Sequence, residues 1–200
     1  LFQRDTRDSF LDPSRGWLNE LSAEYAGGPL LRGENSFFKL TGALRNYRRL
    51  VGSGSERRYR LALAWAVRAG YARGLRATRR IIIFERFKVG GANTVRGFSE
   101  NELGPLSEAG NFSGADIIVI FNQEFRYPII GKLWGSIFTD IGNGYINRTD
   151  IKLNNLAYSF GLGFQFISPA GPIRLDYARH IKSEGIDSGD RIHFTILYAF

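Results

Sequence analysis

Tyr59-Arg60-Leu61-Ala62-Leu63-Ala64-Trp65-Ala66-Val67-Arg68-Ala69-Gly70-Tyr71 is the stretch that decides the fold. Tyr59, Leu61, Leu63, Trp65, Val67, Ala69 and Tyr71 recur at every second position. Arg60, the small Ala62, Ala64 and Ala66, and then Arg68 occupy the positions between them. A period of two puts these sets on opposite faces of a β-strand. One face is apolar and begins and ends in tyrosine; the other is small or charged.

The same alternation runs along the chain. Trp17, Leu21, Ala23 and Tyr25 oppose Glu20, Ser22 and Glu24, and Phe38, Leu40 and Leu44 oppose Lys39, Thr41 and Arg45. Further on, Val119, Phe121, Phe125 and Tyr127 oppose Asn122, Glu124 and Arg126, while Leu133, Ile137 and Ile141 oppose Ser136 and Asp140. Tyr158, Phe160, Leu162, Phe164 and Phe166 oppose Ser159, Gly161, Gly163 and Gln165. Ile173, Leu175 and Tyr177 oppose Arg174, Asp176 and His180. Last, Ile192, Phe194, Ile196, Tyr198 and Phe200 oppose His193, Thr195 and Ala199. These segments make about eight strands, with 1–7 as the end of a ninth.

A soluble sandwich also has two-faced strands, so length and chemistry must decide. The segments approach the 9–11 or so residues of a tilted membrane strand, against about 5–6 for soluble strands. Tyr59, Tyr71, Tyr127, Tyr158, Phe166 and Phe200 sit at the ends of apolar faces, as aromatic girdles do at a bilayer boundary. Connections near 129–132 and 168–171 are tight, and those at 74–114, 144–155 and 182–190 are long and polar. Short turns on one rim and long loops on the other are the pattern of an outer-membrane barrel. The fold expected is therefore all-β: an antiparallel transmembrane barrel, residues 1–200 forming one domain, with a small-residue, charged and wet lumen. Bilayer-embedded backbone must be paired throughout, so the wall must close on itself or on a partner.

Composition agrees. Phe 16, Tyr 9, Gly 24 and Pro 6 in 200 residues suit long strands. A mean hydropathy of −0.19 carries little information when apolar and polar residues alternate. No run nears the roughly 18 apolar residues of a membrane helix. With no cysteine, disulfides, thiolate zinc sites and thiol nucleophiles are excluded. The net charge of +8 is assigned to arginines lining a polar interior or flanking a membrane, and no basic helix or motif indicates nucleic acid. Leu1 is neither an initiator methionine nor the start of a signal peptide, which suggests a piece of something longer.

The connection 74–114 contains Gly90-Gly91-Ala92-Asn93-Thr94-Val95-Arg96-Gly97-Phe98. A loop of roughly forty residues in a regular strand array is usually functional or disordered. A lone arginine among glycines and apolar residues suggests one folded into the barrel and pinned there. The glycine-rich run lacks the lysine and Ser/Thr of a phosphate loop, and Ser159, Ser168 and Asp176 form no nucleophile arrangement. His180 and His193 read as polar lining of the lumen rather than metal ligands. No catalytic residue, cofactor or metal is expected.

That loop, followed by Leu103-Gly104-Pro105, resembles the conserved VRGF-type loop of the BamA/TamA superfamily of outer-membrane assembly and translocation barrels, the bacterial surface antigen family. Asn122-Gln123-Glu124-Phe125-Arg126-Tyr127-Pro128, Phe138-Thr139-Asp140-Ile141-Gly142-Asn143, Phe160-Gly161-Leu162-Gly163 and 168–176 resemble its following strands, in order. Asp5-Thr6-Arg7-Asp8 and Asp12-Pro13-Ser14-Arg15-Gly16 are similar to it upstream. The resemblance covers nearly the whole chain. It lacks the family's periplasmic POTRA domains and the first half of its sixteen-stranded barrel.

The resemblance implies that Arg96 pairs with Glu124 and Asp140, with Gly90, Gly91, Val95, Gly97 and Phe98 shaping the loop. Independently, alternation places both carboxylates on the polar face. It further implies that Phe194, Ile196, Tyr198 and Phe200 form a C-terminal assembly signal. The function implied is non-enzymatic outer-membrane protein insertion, with outer-membrane lipids, nascent outer-membrane proteins and accessory assembly lipoproteins as partners. Localisation follows as the bacterial outer membrane, long loops extracellular and C-terminus periplasmic. Alternatives left open are a TamA-like or two-partner-secretion translocation barrel, the anchor of a patatin-type lipase and a small passive pore. The chain is then half of a family barrel, a small closed barrel, or a half that pairs with a second copy.

Overall fold

The computed structural model describes residues 1–27, 35–51, 61–75, 81–107, 109–169, 171–181, 183 and 186–196. Tyr59, Arg60, Tyr198, Ala199 and Phe200, named above, lie outside them. Nine strands follow one another in an antiparallel meander: β1 (Phe2–Asp5), β2 (Gly16–Ala26), β3 (Phe37–Val51), β4 (Leu61–Gly74), β5 (Ile117–Ile130), β6 (Leu133–Tyr145), β7 (Ala157–Ser168), β8 (Gly171–His180) and β9 (Gly189–Ile196). Each pairs with its sequence neighbours, and among the described residues β1 and β9 pair on one side only. The sheet is a partial barrel. The four-residue β1 is the ninth strand of which the sequence showed only an end.

Register turns the alternation into continuous surfaces. Leu63, Phe125, Ile137, Leu162, Tyr177 and Ile192 are cross-strand partners in one row from β4 to β9. All point outward. Phe160, Leu162, Phe164 and Phe166 on β7 and Leu175 and Tyr177 on β8 are each about half exposed. Isolated exposed apolar residues are ordinary, but an unbroken belt across six strands needs an apolar environment.

The turns are locally determined. Gly131 adopts φ +55° in the tight β5–β6 turn, where an L side chain would be strained. Pro128 cannot donate to the ladder, and it stands beside the register shift that ends regular β5–β6 pairing. Between β1 and β2, Asp8 accepts from the Ser14 amide at 2.8 Å, the Ser14 hydroxyl at 2.6 Å and the Arg15 amide at 3.1 Å. Arg49 of β3 reaches the same carboxylate at 3.2 Å. Partial burial would raise the Asp8 pKa, but Ser14, Arg15 and Arg49 together hold it below the usual carboxylate range.

The concave face differs from the wet lumen expected. Val89, Val95, Phe98 and Leu103 of the β4–β5 connection pack on Phe37, Ala72, Ala115, Ile118, Ile120 and Ala157 to make an apolar cluster inside the wall. Period-two reading assigned apolar residues to the outer face, so it missed Ile118 and Ile120 pointing inward to meet the loop.

If the outer row faces lipid, Leu162→Arg near its centre should destabilise the chain by about 2–4 kcal/mol, while Leu162→Phe should be nearly neutral. Denaturant unfolding in lipid bilayers measures the difference. For Asp8 the sign is that of a depressed carboxyl: its contribution is complete above the ordinary aspartate range and fades as pH falls through its lowered folded value. Asp8→Asn should therefore flatten the acid limb of the stability profile.

Candidate functional site: an arginine on the inner wall

Small residues prepare the floor of the site. Ala64, Glu124, Phe138, Gly161 and Ala178 are partners in one inward row, and Ala66, Asn122, Asp140, Ser159 and His180 in the next. Alanine, glycine and serine leave room above the sheet, and the loop fills it. A Cβ on Gly161 would collide with the Tyr177 carbonyl and lie 2.5 Å from the Phe138 ring. The bare glycine lets Phe138 lie flat, and the Arg96 guanidinium stacks on that ring at 3.4 Å from its centroid.

Arg96 then uses its fork. Nε and Nη2 donate to the two Asp140 oxygens at 2.7 and 2.8 Å, and Nη1 donates to Glu124 Oε1 at 3.1 Å. Its backbone amide adds a third bond to Asp140 at 3.0 Å. Glu124 and Asp140 are wholly buried and Arg96 is 3 % exposed. Burial disfavours the Arg96 charge, but Asp140 first, then Glu124 and Asp176, raise its pKa above the ordinary arginine value. The cation is permanent.

The structure therefore brings together the three residues named for the ion pair, and adds three more. Arg174 contacts Glu124 through Nη2 and Asp176 through Nε at 2.7 Å, and Arg126 reaches Glu124 at 2.9 Å. Asp176 lies 3.7 Å from Arg96. The cluster thus balances three cations, Arg96, Arg126 and Arg174, against three anions, Glu124, Asp140 and Asp176. Alternation had put Arg126, Arg174 and Asp176 on the polar face; only the folded wall shows that both arginines converge on Glu124 and that Asp176 joins through Arg174 and Arg96.

Around Arg96 the loop is tied to strand after strand. Arg68 of β4 donates to the Asn93 carbonyl at 2.6 Å, and Asn122 of β5 to the Thr94 carbonyl at 2.7 Å. Phe98 is fully buried and stacks on His180 of β8, ring centroids 4.4 Å apart. Gly97 has φ +93°, and a Cβ there would press on Ser159, Ala178 and His180 at 3.3–3.4 Å. Its amide donates to His193 Nε2 of β9 at 2.9 Å. Gly90 and Gly91 shape the loop's entry, where the Gly90 amide donates to Thr94 Oγ1 at 2.8 Å. Val95 is fully buried in the apolar cluster. Phe194 and Ile196 instead point outward, 62 % and 57 % exposed, and take no part. His180 bonds the Asp187 carbonyl at 2.8 Å.

An antiparallel wall with a lipid-suited outer belt and a lumen filled by an arginine-anchored loop defines a transmembrane β-barrel segment. The chain belongs to the Omp85 superfamily, whose domain matches residues 2–200. It is 27% identical over 184 residues to the outer membrane protein assembly factor BamA of Nitratidesulfovibrio vulgaris, covering 88% of this chain and 22% of that protein. It is 28% identical over 204 residues to a SAM50-like protein of Schizosaccharomyces pombe, covering 94% of this chain and 41% of that one. The crystal structure of BamA from Haemophilus ducreyi lacking POTRA domains 1-3 shares the fold, with a TM-score of 0.74 at 17% identity over 96% of this chain and 41% of that one. The chain spans less than half the length of these relatives.

Arg96→Ala should cost about 3–5 kcal/mol, because it leaves buried carboxylates short of a cation. Arg96→Lys restores charge without the planar fork and should recover only part. Protease susceptibility of segment 81–107 and the denaturation midpoint report both effects.

Proposed function

We propose that this chain is the C-terminal barrel segment of an outer-membrane protein assembly factor, working without catalysis or cofactor. Residues 1–200 act as one barrel domain, with 74–114 as the loop that enters its lumen. The observation that carries the reading is the loop's anchorage: Arg96 is buried against β5 and β6, while the next residue reaches β9. A wall held from inside can keep its shape while one strand edge stays available, and among the described residues β9 pairs with β8 alone. Unpaired edges template β-addition, so a nascent outer-membrane strand can pair there without ATP.

On this reading the long-loop rim is extracellular and the tight-turn rim periplasmic, in a bacterial outer membrane. Partners are membrane lipid, nascent outer-membrane proteins and accessory assembly lipoproteins. The other edge is completed by further strands, from an N-terminal barrel half or a second copy. Phe194 and Ile196, with Tyr198 and Phe200, serve as the assembly signal of the chain itself.

The test is reconstitution. Proteoliposomes containing the chain should accelerate folding of a urea-denatured outer-membrane protein, and Arg96→Ala should reduce the acceleration at least tenfold. Equal rates in empty liposomes and proteoliposomes would remove the insertase reading. A steady ionic conductance with no acceleration would favour a passive pore.

A further inference from the structure

We propose that His193 is a positioning residue that latches β9, the strand with the available edge, onto the arginine-bearing loop. The latch requires a neutral imidazole. This deepens the assembly reading and rests on it for its significance, but not for its geometry.

The bond has a defined sense. A backbone N–H only donates, so His193 Nε2 must accept from Gly97 at 2.9 Å. That nitrogen is therefore unprotonated. Protonation makes both ring nitrogens donors, and the bond to Gly97 is lost. The acid beside the ring on β8 is turned away from it, with Asp176 Oδ1 lying over Gly163 of β7. Asp176 of β8 stands directly opposite His193 in register, and its Oδ1 is buried without a hydrogen bond. Its other oxygen is used by Arg174. The Gly97 amide thus selects the neutral ring, and Asp176 acts on that ring only as a neighbouring charge.

Other charges facing the ring are Glu100 and Arg96 on the loop and Arg191 on β9 itself, with His180 nearby on β8. Among the described residues, Arg191 makes a second polar link between β9 and the loop, to Glu102, at 3.9 Å and about two-fifths exposed. A solvent-exposed pair of that length is worth little. The buried His193–Gly97 bond is consequently the stronger tie. The loop is immobilised on β5 and β6 through Arg96, so any change at His193 shifts β9 rather than the loop.

The chain has no cysteine, so two can be added without background. Spin labels at Asn101→Cys, on the loop, and Ile192→Cys, facing outward on β9, report their separation in bilayers by pulsed electron resonance. At pH 8 the chain and His193→Gln, which keeps an acceptor, should give one narrow distance; His193→Phe should give a broad distribution. Between pH 8 and 5, passing through the ordinary imidazole range of about 6.5, the unsubstituted site should broaden and His193→Gln should not. A His193→Phe distribution as narrow as that of the unsubstituted chain at pH 8 would overturn the latch. So would a pH response that persists in His193→Gln, which would point to His180. None of these readouts needs insertion activity, so a failed assembly assay and a failed latch are separable. Retained migration of the folded species in unheated gels confirms that each variant has folded.

Discussion

The burial of Arg96 is the constraint on which the rest of this structure depends. A guanidinium out of water is tolerable only if anions surround it, and anions out of water only if cations answer them. Glu124, Asp140 and Asp176 meet the first requirement; Arg126 and Arg174 meet the second. The balance of three against three makes the interior of the wall a joint rather than a void. Because the six groups come from the loop, β5, β6 and β8, any strand that slips in register separates charges that need each other.

That joint changes the role of the long connection. Packed by Val89, Val95, Phe98 and Leu103 and bonded to strands from β4 to β9, it is a structural member crossing the concave side of the sheet. Its ties differ in strength along their length. At Asp140 there are three charge-assisted bonds, all buried. At β9, among the described residues, there is one bond to a histidine and one long, exposed ion pair. The gradient runs from strong to weak, and it runs toward the strand whose other edge is unpaired among the described residues. On the assembly function proposed above, that gradient has a use, since assembly by strand addition needs one firm wall and one yielding edge.

Much of the site was legible residue by residue. Gly90-Gly91 and Val95-Arg96-Gly97-Phe98 stood out because a glycine-flanked arginine in a long connection is hard to explain as surface. Glu124 and Asp140 were named through the family resemblance, and alternation independently placed both on the polar face. Arg174 and Asp176 were placed on the correct face but not in the cluster with Glu124, from whose strand theirs is separated by β6 and β7. His193 was read as lining, because nothing in its neighbours along the chain indicates that a backbone amide 96 residues away will donate to it.

What the sequence determined by itself was which way each strand's side chains point, since a two-residue period acts within a single strand and needs no neighbour. From that came the membrane-facing belt, the hairpin order and the sign of each face. What only the tertiary structure decided was coincidence across strands: three cations over three anions, an apolar cluster between loop and wall where a wet lumen was expected, and a histidine under a glycine amide. These depend on cross-strand register and on where a loop comes to rest, and both are set by packing among residues far apart in the chain.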